Sequence, residues 1–453
     1  MFSYPFYIRL IDCSNTLNEY EIMIPQKAAS IWNLRLKQKM NVSYHFHSSE
    51  CTISISDKMV DHTILLSEQL AEKLQLPLEQ PIQCFYDQEA KVFHFGPSIG
   101  MVIGEGFPTN EQIFGTITSY ATAMAKKAYD LYLPFFVFPF QDIHEQKVNG
   151  YRFDGEQWIQ CKLLLPHVIY NRIGRRDQEN TQKATNFFKK LNEHNIPYFN
   201  ERFINKWEAY TLFLKEPTLA PFLPETTKIK SKDDFFSLFD KYDNFYLKPS
   251  WGKEGNGIMS MSKEESTYCL QFPLSQDKQT KFFETDKQVY EYLKYKLSKR
   301  QYIAQPRIKS IKYNNAFVDF RVLCMKDHVG EWKCCSAIAR IGSEKNIVTN
   351  LSQGGTQLKV LDVLQDNFKK DHAQHMERFL HELAIHAASS FDIVTLGHYG
   401  ELGFDFMVDQ QGHIYILEVN IKPTKGELLQ VDDSPLPSIR YILNYASSLS
   451  SFV

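Results

Sequence analysis

Residues 401–423 read ELGFDFMVDQQGHIYILEVNIKP, and this stretch decides the predicted fold. Apolar residues alternate with polar ones on both sides of a polar turn at residues 409–413, so the pattern predicts a β-hairpin. Asp405 lies in the first predicted strand, and Glu418 and Asn420 end the second. Because strand residues two apart point to the same face, we expect these three side chains to converge. Their oxygens suit Mg²⁺ held against phosphates, although acids also occur by chance on surface strands.

The composition excludes several classes of protein. With 453 residues the chain is expected to hold two to four packed units. A formal net charge of −2 favours neither nucleic acid nor an anionic membrane as the main partner. The eight cysteines form no C-x-x-C motif, which predicts buried thiols in a reducing compartment rather than disulfides or a zinc site. The first residues show no basic signal-peptide region, and no apolar run is long enough to span a membrane, so we expect a cytoplasmic protein.

Three regions with different patterns divide the chain. Residues 1–98 contain short alternating runs separated by polar turns, which predicts a small, barrel-like β-rich module. Residues 99–205 alternate buried strands with helices, which predicts a parallel α/β domain. Residues 206–453 carry the candidate chemistry. The predicted fold class is therefore α/β together with α+β.

A lysine and a glycine-rich loop follow each other in FYLKPSWGKEGNGI, residues 245–258. The pattern predicts a strand that ends at Lys248 and a loop whose glycines let backbone N–H groups approach phosphate oxygens. The loop lacks the G-K-[ST] ending of a Walker A motif, and by itself it also fits a flexible hairpin. Downstream, RQYIAQPRI at residues 300–308 predicts a short strand whose backbone can hydrogen-bond a planar base edge.

Two arginines lie on the next two predicted strands. FVDFRVLCM, residues 317–325, places Asp319 and Arg321 on one face, and AIARIG, residues 337–342, adds Arg340. Guanidinium groups facing one cleft can clamp transferred phosphoryl oxygens. An ion pair between neighbours on one strand is the alternative interpretation.

Taken in order, these segments resemble the ATP-grasp superfamily, and within it the YheC/YheD family of bacterial spore-coat-associated proteins. The order is a lysine strand, a glycine loop, a hinge strand, a D-x-R strand, an arginine strand, N-L-x-x-G-G at residues 350–355, and the final hairpin. The resemblance extends upstream into VIYNRIGRR, PYFNERFINKWEAYTLF and LPETT, and covers about residues 100–445. The motifs are also similar to those of the ribosomal-protein glutamate ligases, in which an S-P-G turn usually follows E-V-N. Here Ile421-Lys422-Pro423 follows instead, which resembles the YheC/YheD family.

The resemblance implies a role for each matching residue. It implies nucleotide contacts for Lys206, Lys248, Gly252, Lys253, Gly255, Gly257, Gln305, Arg307 and Asn350. Within this set the glycine loop is the lid over the phosphates, and residues 305–307 are the hinge whose backbone meets adenine. Arg321 and Arg340 are implied to act catalytically near the transferred phosphoryl group. Asp405, Glu418 and Asn420 are implied to be the metal ligands, with Glu418 bridging two Mg²⁺ ions.

The activity that the resemblance implies is Mg·ATP-dependent joining of a carboxylate to an amine through an acyl-phosphate, linked to spore coat formation. The implied partners are ATP, carboxylate and amine substrates from small molecules or proteins, and spore coat proteins, with a location in the mother cell at the forespore surface. Positioning and electrostatics supply most of the catalysis in such a reaction, which agrees with the absence of a convincing nucleophile–base motif. Two alternatives stay open: an ATP-binding structural protein of the coat without turnover, and a kinase that phosphorylates a hydroxyl.

Overall fold

The chain divides into two compact units. The computed structural model describes residues 6–8, 20–59, 63–77, 80–106, 113–252, 255–265, 267–272, 280–342, 356–423 and 436–450. Unit 1 comprises Met1–Glu201, Lys326–Glu331 and Asp433–Val453, and unit 2 comprises Arg202–Met325 and Trp332–Asp432. The division into three domains at residues 98 and 205 stays a prediction.

A seven-stranded sheet begins unit 1. Its strands are β1 (Phe6–Ile8), β2 (Glu21–Pro25), β3 (Lys39–Tyr44), β4 (His47–Ser56), β5 (Leu65–Leu66), β6 (Ile82–Asp87) and β7 (Val92–Phe95), in the order β1-β6-β7-β3-β4-β2-β5. Helices α1 (Gln26–Trp32) and α2 (Glu68–Leu74) accompany it. The alternating runs form strands because one face is buried: in β6, Ile82, Cys84 and Tyr86 are buried and the residues between them are partly exposed.

The second sheet of unit 1 is mixed. Its strands are β8 (Ile99–Ile103), β9 (Phe135–Pro139), β10 (Lys147–Phe153), β11 (Trp158–Leu164), β12 (Val168–Asn171) and β13 (Tyr198–Phe199), and helices α3 (Thr118–Asp130), α4 (Arg176–Glu179) and α5 (Gln182–Glu193) connect them, with a 3-10 turn at Gly115–Ile117. Strands β9, β8, β12 and β13 are parallel. Strands β10 and β11 are antiparallel at one edge. They form a hairpin because Asp154 Oδ1 accepts hydrogen bonds from the backbone N–H groups of Glu156 and Gln157 in a tight turn.

The first sheet of unit 2 is antiparallel, with helices on one face. It contains β14 (Thr227–Ile229), β15 (Asn244–Pro249), β16 (Met259–Glu264), β17 (Thr267–Gln271), β18 (Thr280–Phe283) and β19 (Tyr302–Pro306), in the order β14-β19-β15-β16-β17-β18. Helix α6 (Lys206–Phe213) and a 3-10 turn (Ala220–Phe222) precede it, and α7 (Lys232–Lys241) and α8 (Asp286–Lys299) belong to it. Phe245 and Leu247 of β15 pack in one core cluster with residues of α7 and α8.

The second sheet of unit 2 contains the hairpin predicted from residues 401–423. Its strands are β20 (Lys312–Tyr313), β21 (Ala316–Lys326), β22 (Trp332–Ile341), β23 (Thr356–Leu358), β24 (Glu401–Val408) and β25 (Ile414–Asn420), in the order β23-β22-β21-β24-β25 with β20 beside β21. Helices α9 (Val360–Asn367) and α10 (Lys370–Val394) pack in the core cluster of this sheet. The last helix, α11 (Pro437–Leu449), returns to unit 1.

Two further properties bear on the sequence analysis. Across the described ranges, no helix has both the length and the apolar character needed to cross a membrane. No disulfide joins any two of the seven cysteines within these ranges, and four of them are buried: Cys51, Cys84, Cys269 and Cys324.

Candidate functional site

The β24–β25 hairpin brings the predicted metal ligands to one face. Asp405 lies directly opposite Glu418, and Gly403 lies opposite Asn420. Since residues two apart on a strand share a face, the carboxylates and the Asn420 amide project together, as predicted. Gly403 is required here because a Cβ at this position would lie 2.9 Å from Pro423 Cβ.

Asp405 lies between two arginines. Arg321 is opposite Asp405 on the neighbouring strand and donates through Nε to Oδ1 and through Nη2 to Oδ2, the latter at 3.0 Å. Arg340 Nη2 lies 3.2 Å from Asp405 Oδ1. Burial by itself would raise the pKa of Asp405, but the two guanidinium groups outweigh it and hold that pKa below its usual range. Asp405 is therefore ionised at neutral pH.

Asp319 extends this ionic network. Arg340 donates to Asp319 through Nε at 2.6 Å and through Nη2 at 2.8 Å, a bidentate geometry. The side chains of Arg340 and Asp319 are only 7% and 10% exposed. The structure therefore joins both predicted catalytic arginines to carboxylates in one partly buried network.

Lys206 connects the hairpin to the glycine-rich loop. It occupies the first turn of α6, where the Asn205 side chain caps the helix by accepting from Glu208 N–H. Its Nζ donates to Glu418 Oε1 at 2.8 Å and to the Gly252 carbonyl at 3.1 Å. The lysine therefore contacts a predicted metal ligand and the predicted lid together.

Lys248 carries a positive charge that no carboxylate neutralises directly. Its Nζ donates to Gln305 Oε1 at 2.6 Å, and Gln305 Nε2 donates to Thr226 Oγ1 at 2.9 Å. No described carboxylate lies within ion-pair distance of this Nζ. Burial and the charge of Lys206 lower the pKa of Lys248 to about 8, against the opposing influence of two nearby carboxylates.

Among the described residues, the charged side chains joined above do not balance. Four cationic side chains and three carboxylates are linked by the contacts described above: Lys206, Lys248, Arg321 and Arg340 against Asp319, Asp405 and Glu418. The surplus positive charge lies on Lys248, so this face of unit 2 favours an anion.

The first and last glycines of the glycine-rich loop, Gly252 and Gly257, both lie close to Pro249. Gly255 and Gly257 have φ of +73° and +80°, which glycine adopts without strain. A Cβ on Gly257 would lie 3.0 Å from Pro249 Cγ, and one on Gly252 would lie 3.7 Å from Pro249 Cβ. Lys253, which was predicted to bind the nucleotide, lies outside the described residues, as does Asn350.

The predicted hinge residues have different environments. Gln305 is buried, and its side-chain amide bridges Lys248 and Thr226. Arg307 is exposed, its guanidinium lies 5.9 Å from the ring centroid of Phe317, and its N–H donates to the Asn244 carbonyl. That N–H is therefore already used inside the sheet.

Sequence analysis missed two polar residues in this cluster and assigned no site role to a third. Thr226 lies in the LPETT segment, and its hydroxyl accepts from Gln305. Ser250 lies two residues after Lys248, just past the end of β15, and its nearness to Lys248 in the sequence was the available signal. Asp319 was seen only as a neighbour of Arg321, because pairing with Arg340 depends on the sheet and not on local spacing.

These features define an ATP-grasp protein, and comparison with known proteins gives the family. The chain belongs to the YheC/D like ATP-grasp family, whose profile matches residues 195–449, and the predicted family and mixed α/β architecture are confirmed. It is 27% identical over 401 residues to the endospore coat-associated protein YheD of Bacillus subtilis (strain 168), covering 86% of each chain. It is 25% identical to YheC of the same organism, covering 69% of this chain and 86% of YheC.

Among solved structures, D-alanyl-alanine synthetase A of Vibrio cholerae is similar with a TM-score of 0.48 and 12% identity, over 78% of this chain and 98% of that one.

The residues of the cluster fit the magnesium and nucleotide that the fold family implies. Lys248 offers an unneutralised charge to a polyphosphate, and Asp405 and Glu418 offer opposed carboxylates to a cation. The described residues contain no group of three or more His, Cys, Asp or Glu side chains placed to hold a metal. The predicted set of metal ligands therefore needs the Asn420 amide as its third member. The remaining ligands of Mg²⁺ in proteins are commonly phosphate oxygens and water.

Proposed function

We propose that this chain is a Mg²⁺-dependent ATP-grasp ligase that joins a carboxylate to an amine through an acyl-phosphate. The observation that carries the proposal is the charge arrangement on one face of unit 2. Lys248 holds a positive charge without a carboxylate partner, beside a network that contains Asp405 and Glu418. A polyphosphate bound with a divalent cation complements both halves of this arrangement.

In this proposal the cationic side chains bind the phosphates. Lys248 and Lys206 contact phosphate oxygens, and the loop that contains Gly252, Gly255 and Gly257 closes over them. Lys253 and Asn350 are further proposed contacts, and the strand at Gln305 and Arg307 lines the adenine. Lys206, which pairs with Glu418 in this structure, is placed to exchange that carboxylate for a phosphate oxygen.

The proposed metal ligands are Asp405, Glu418 and Asn420, with Glu418 shared between two ions. When bound, Mg²⁺ neutralises phosphate charge and orients the transferred group. Asp405 suits this role because the arginines keep it ionised. Asn420 lies beside it, with Nδ2 donating to Asp405 Oδ2 at 3.4 Å, and its amide oxygen is the proposed neutral ligand.

The proposed reaction needs no protein nucleophile. A carboxylate oxygen of the substrate attacks the γ-phosphorus of ATP, and ADP leaves; an amine then attacks the acyl carbon, and phosphate leaves. Arg321 and Arg340 stabilise the charge on the transferred phosphoryl group and on the acyl-phosphate. Their carboxylate partners fix both guanidinium groups before substrate binds, so little reorganisation is needed.

We further propose a cytoplasmic location in the mother cell, with association to the spore coat. The support is that the related YheD and YheC are named endospore coat-associated proteins. The same names support a second candidate function, an ATP-binding structural protein of the coat without turnover. We also retain the division into a β-rich module at residues 1–98, an α/β domain at 99–205 and an ATP-grasp domain at 206–453.

Calorimetric titration of Mg·ATP tests the proposal. Wild type should bind, and Glu418→Ala should bind at least tenfold more weakly, because it loses a metal ligand. Glu291→Ala is the matched control, because Glu291 also pairs with a lysine, Lys294, but on an exposed helix. Folded wild-type protein that does not bind Mg·ATP would contradict both candidate functions.

A turnover assay separates the candidates. A ligase releases ADP and phosphate only when a carboxylate and an amine are both supplied. ADP formation with a hydroxyl acceptor and without free phosphate would indicate a kinase. Binding without turnover for any acceptor pair would favour the structural role.

A further inference from the structure

Ser250 carries a buried hydroxyl that has no hydrogen-bond partner among the described residues. The residue is 1% exposed. Among the residues that the structure describes, none offers a donor or acceptor within hydrogen-bond distance of its Oγ. A buried hydroxyl without a partner costs free energy that folded proteins normally avoid, so such a group requires an explanation.

The backbone of Ser250 is held firmly in place. Its N–H donates to the Gln301 carbonyl at 2.8 Å, which continues the β15–β19 ladder by one residue. Its carbonyl accepts from Lys206 N–H at 3.0 Å. Both backbone groups are therefore satisfied, and the hydroxyl is the one polar group of this residue left over.

The position of Ser250 points to a ligand of negative charge. It directly follows the end of β15 at Pro249, two residues beyond Lys248. It also lies between the two contacts of Lys206, whose backbone N–H binds the Ser250 carbonyl and whose Nζ binds the Gly252 carbonyl. Ser250 is thus bonded through its backbone to Lys206 and lies two residues from Lys248 in the chain.

We propose that Ser250 binds phosphate: its Oγ–H donates a hydrogen bond to a phosphate oxygen of the bound nucleotide. This inference rests on the proposed function, since it requires that a nucleotide binds at Lys206 and Lys248. Gln305 and Thr226 are unlike Ser250 in this respect, because their side chains already bond to each other. Ser250 is kept as a donor for the ligand at the expense of the stability of the free protein.

Two readouts move in opposite directions if the inference is right. Ser250→Ala removes a hydroxyl that makes no bond in the fold, so the melting temperature of the protein without nucleotide should be unchanged or raised. The same variant should bind Mg·ADP roughly ten- to a hundredfold more weakly, the range expected for a hydrogen bond to a charged group. A purely structural role would lower the melting temperature instead.

Ser438→Ala is the matched control. Ser438 is 0% exposed in α11 of unit 1, and its Oγ likewise has no partner among the described residues. This variant should show the same thermal behaviour and an unchanged affinity for Mg·ADP. If Ser250→Ala does not fold, Ser250→Cys keeps the side-chain shape with a somewhat larger group that is a poor donor, and it should lose affinity in the same range.

The outcomes separate this inference from the proposed function. Wild type that binds Mg·ADP while Ser250→Ala binds equally well would overturn the role of Ser250 and leave the proposed function standing. A lowered melting temperature of Ser250→Ala together with weaker binding would assign the hydroxyl to the fold and would also overturn the inference. Wild type that does not bind would remove the proposed function, and the inference with it.

Discussion

Lys248 makes nucleotide affinity depend on pH. Its pKa in the free protein is lowered to about 8, chiefly by burial. Below pH 8 the ammonium is already charged, but above pH 8 the free protein loses the proton and an anionic ligand must restore it. We therefore expect the affinity for Mg·ADP to fall by up to about tenfold per pH unit above pH 8, with proton uptake on binding. Calorimetry between pH 7 and 9.5 in two buffers of different ionisation enthalpy measures both quantities.

Lys248→Arg is the control for this effect. An arginine keeps its charge throughout this pH range, so the affinity of the variant should be flat above pH 8 even if it is lower overall. If wild type showed a flat profile, or if Lys248→Arg kept the slope, the pH dependence would have another origin.

Asp405 contributes to stability as well as to the proposed metal site. Asp405→Ala leaves Arg321 and Arg340 without a shared carboxylate in a poorly hydrated network, so we expect it to lower the free energy of unfolding by about 3–5 kcal/mol. Asn420→Ala removes only a long hydrogen bond of 3.4 Å to Asp405 and should cost about 1 kcal/mol or less. Urea denaturation measures both. Equal costs would show that the arginines do not depend on Asp405.

It follows that Asp405 is a poor residue on which to test metal binding. Loss of Mg·ATP binding in Asp405→Ala can come from a disturbed network rather than a missing ligand. Asn420→Ala and Glu418→Ala avoid this difficulty. Among the described residues, Glu418 pairs with one cation, Lys206, and 28% of its side chain is exposed.

At the level of elements, a bulge in β25 determines which residues face the site. The register of the hairpin shifts between Asp405 and Phe406, so Phe406 pairs with Ile416 and not with Leu417. Ile416 can therefore face the core while Glu418, two residues on, faces the site. A regular strand would place both on one face, so the bulge makes the core and the carboxylate compatible.

The bulge also marks where sequence analysis stops. The alternation of apolar residues was enough to predict the hairpin, its turn and the approach of Asp405 to Glu418 and Asn420. The bulge could not be predicted from the sequence. It changes which residues of β24 and β25 pair with each other, and the order of apolar residues along the chain does not show this. Likewise, Asp319 and Arg340 lie 21 residues apart, and only the arrangement of the sheet joins them.

Sequence analysis also missed the antiparallel strands β10 and β11 at the edge of the mixed sheet in unit 1, and the reason differs from that for the bulge. Sequence analysis treated residues 99–205 as alternating strands and helices, which predicted parallel pairing throughout. The short turn between β10 and β11 leaves no room for a crossover helix, so those two strands must be antiparallel. Asp154 and Gly155 were the local signal for that turn.

The glycine-rich loop gives a prediction at the scale of an element. Gly257→Ala would place a Cβ at φ +80° and 3.0 Å from Pro249 Cγ, so the start of β16 must shift. Gly330→Ala is the matched control, because Gly330 has φ +83° and no atom within 4 Å of such a Cβ. Both should lose about 1 kcal/mol of stability from backbone strain, and only Gly257→Ala should also bind Mg·ADP more weakly. Equal affinities would show that contact with Pro249 does not shape the site.

At the scale of the whole molecule, each unit has its own hydrophobic cores. Among the described residues, two core clusters around the first two sheets are formed by residues of unit 1, and two around the last two sheets by residues of unit 2. The residues of the candidate site all belong to unit 2. A ligand bound there should therefore raise the stability of unit 2 directly.

We accordingly expect two thermal transitions and a response of only one to nucleotide. At a free Mg·ADP concentration of 100 times its Kd, binding adds about 2.7 kcal/mol to the unit that binds it. For a unit of this size that raises its transition by roughly 5–10 °C, while the other transition stays in place. Differential scanning calorimetry measures the shift, and hydrogen exchange should show the added protection within Arg202–Met325 and Trp332–Asp432. Glu418→Ala at the same nucleotide concentration should show little shift. A single transition that moves as a whole would mean that the two units unfold together, and protection confined to unit 1 would place the nucleotide outside the proposed site.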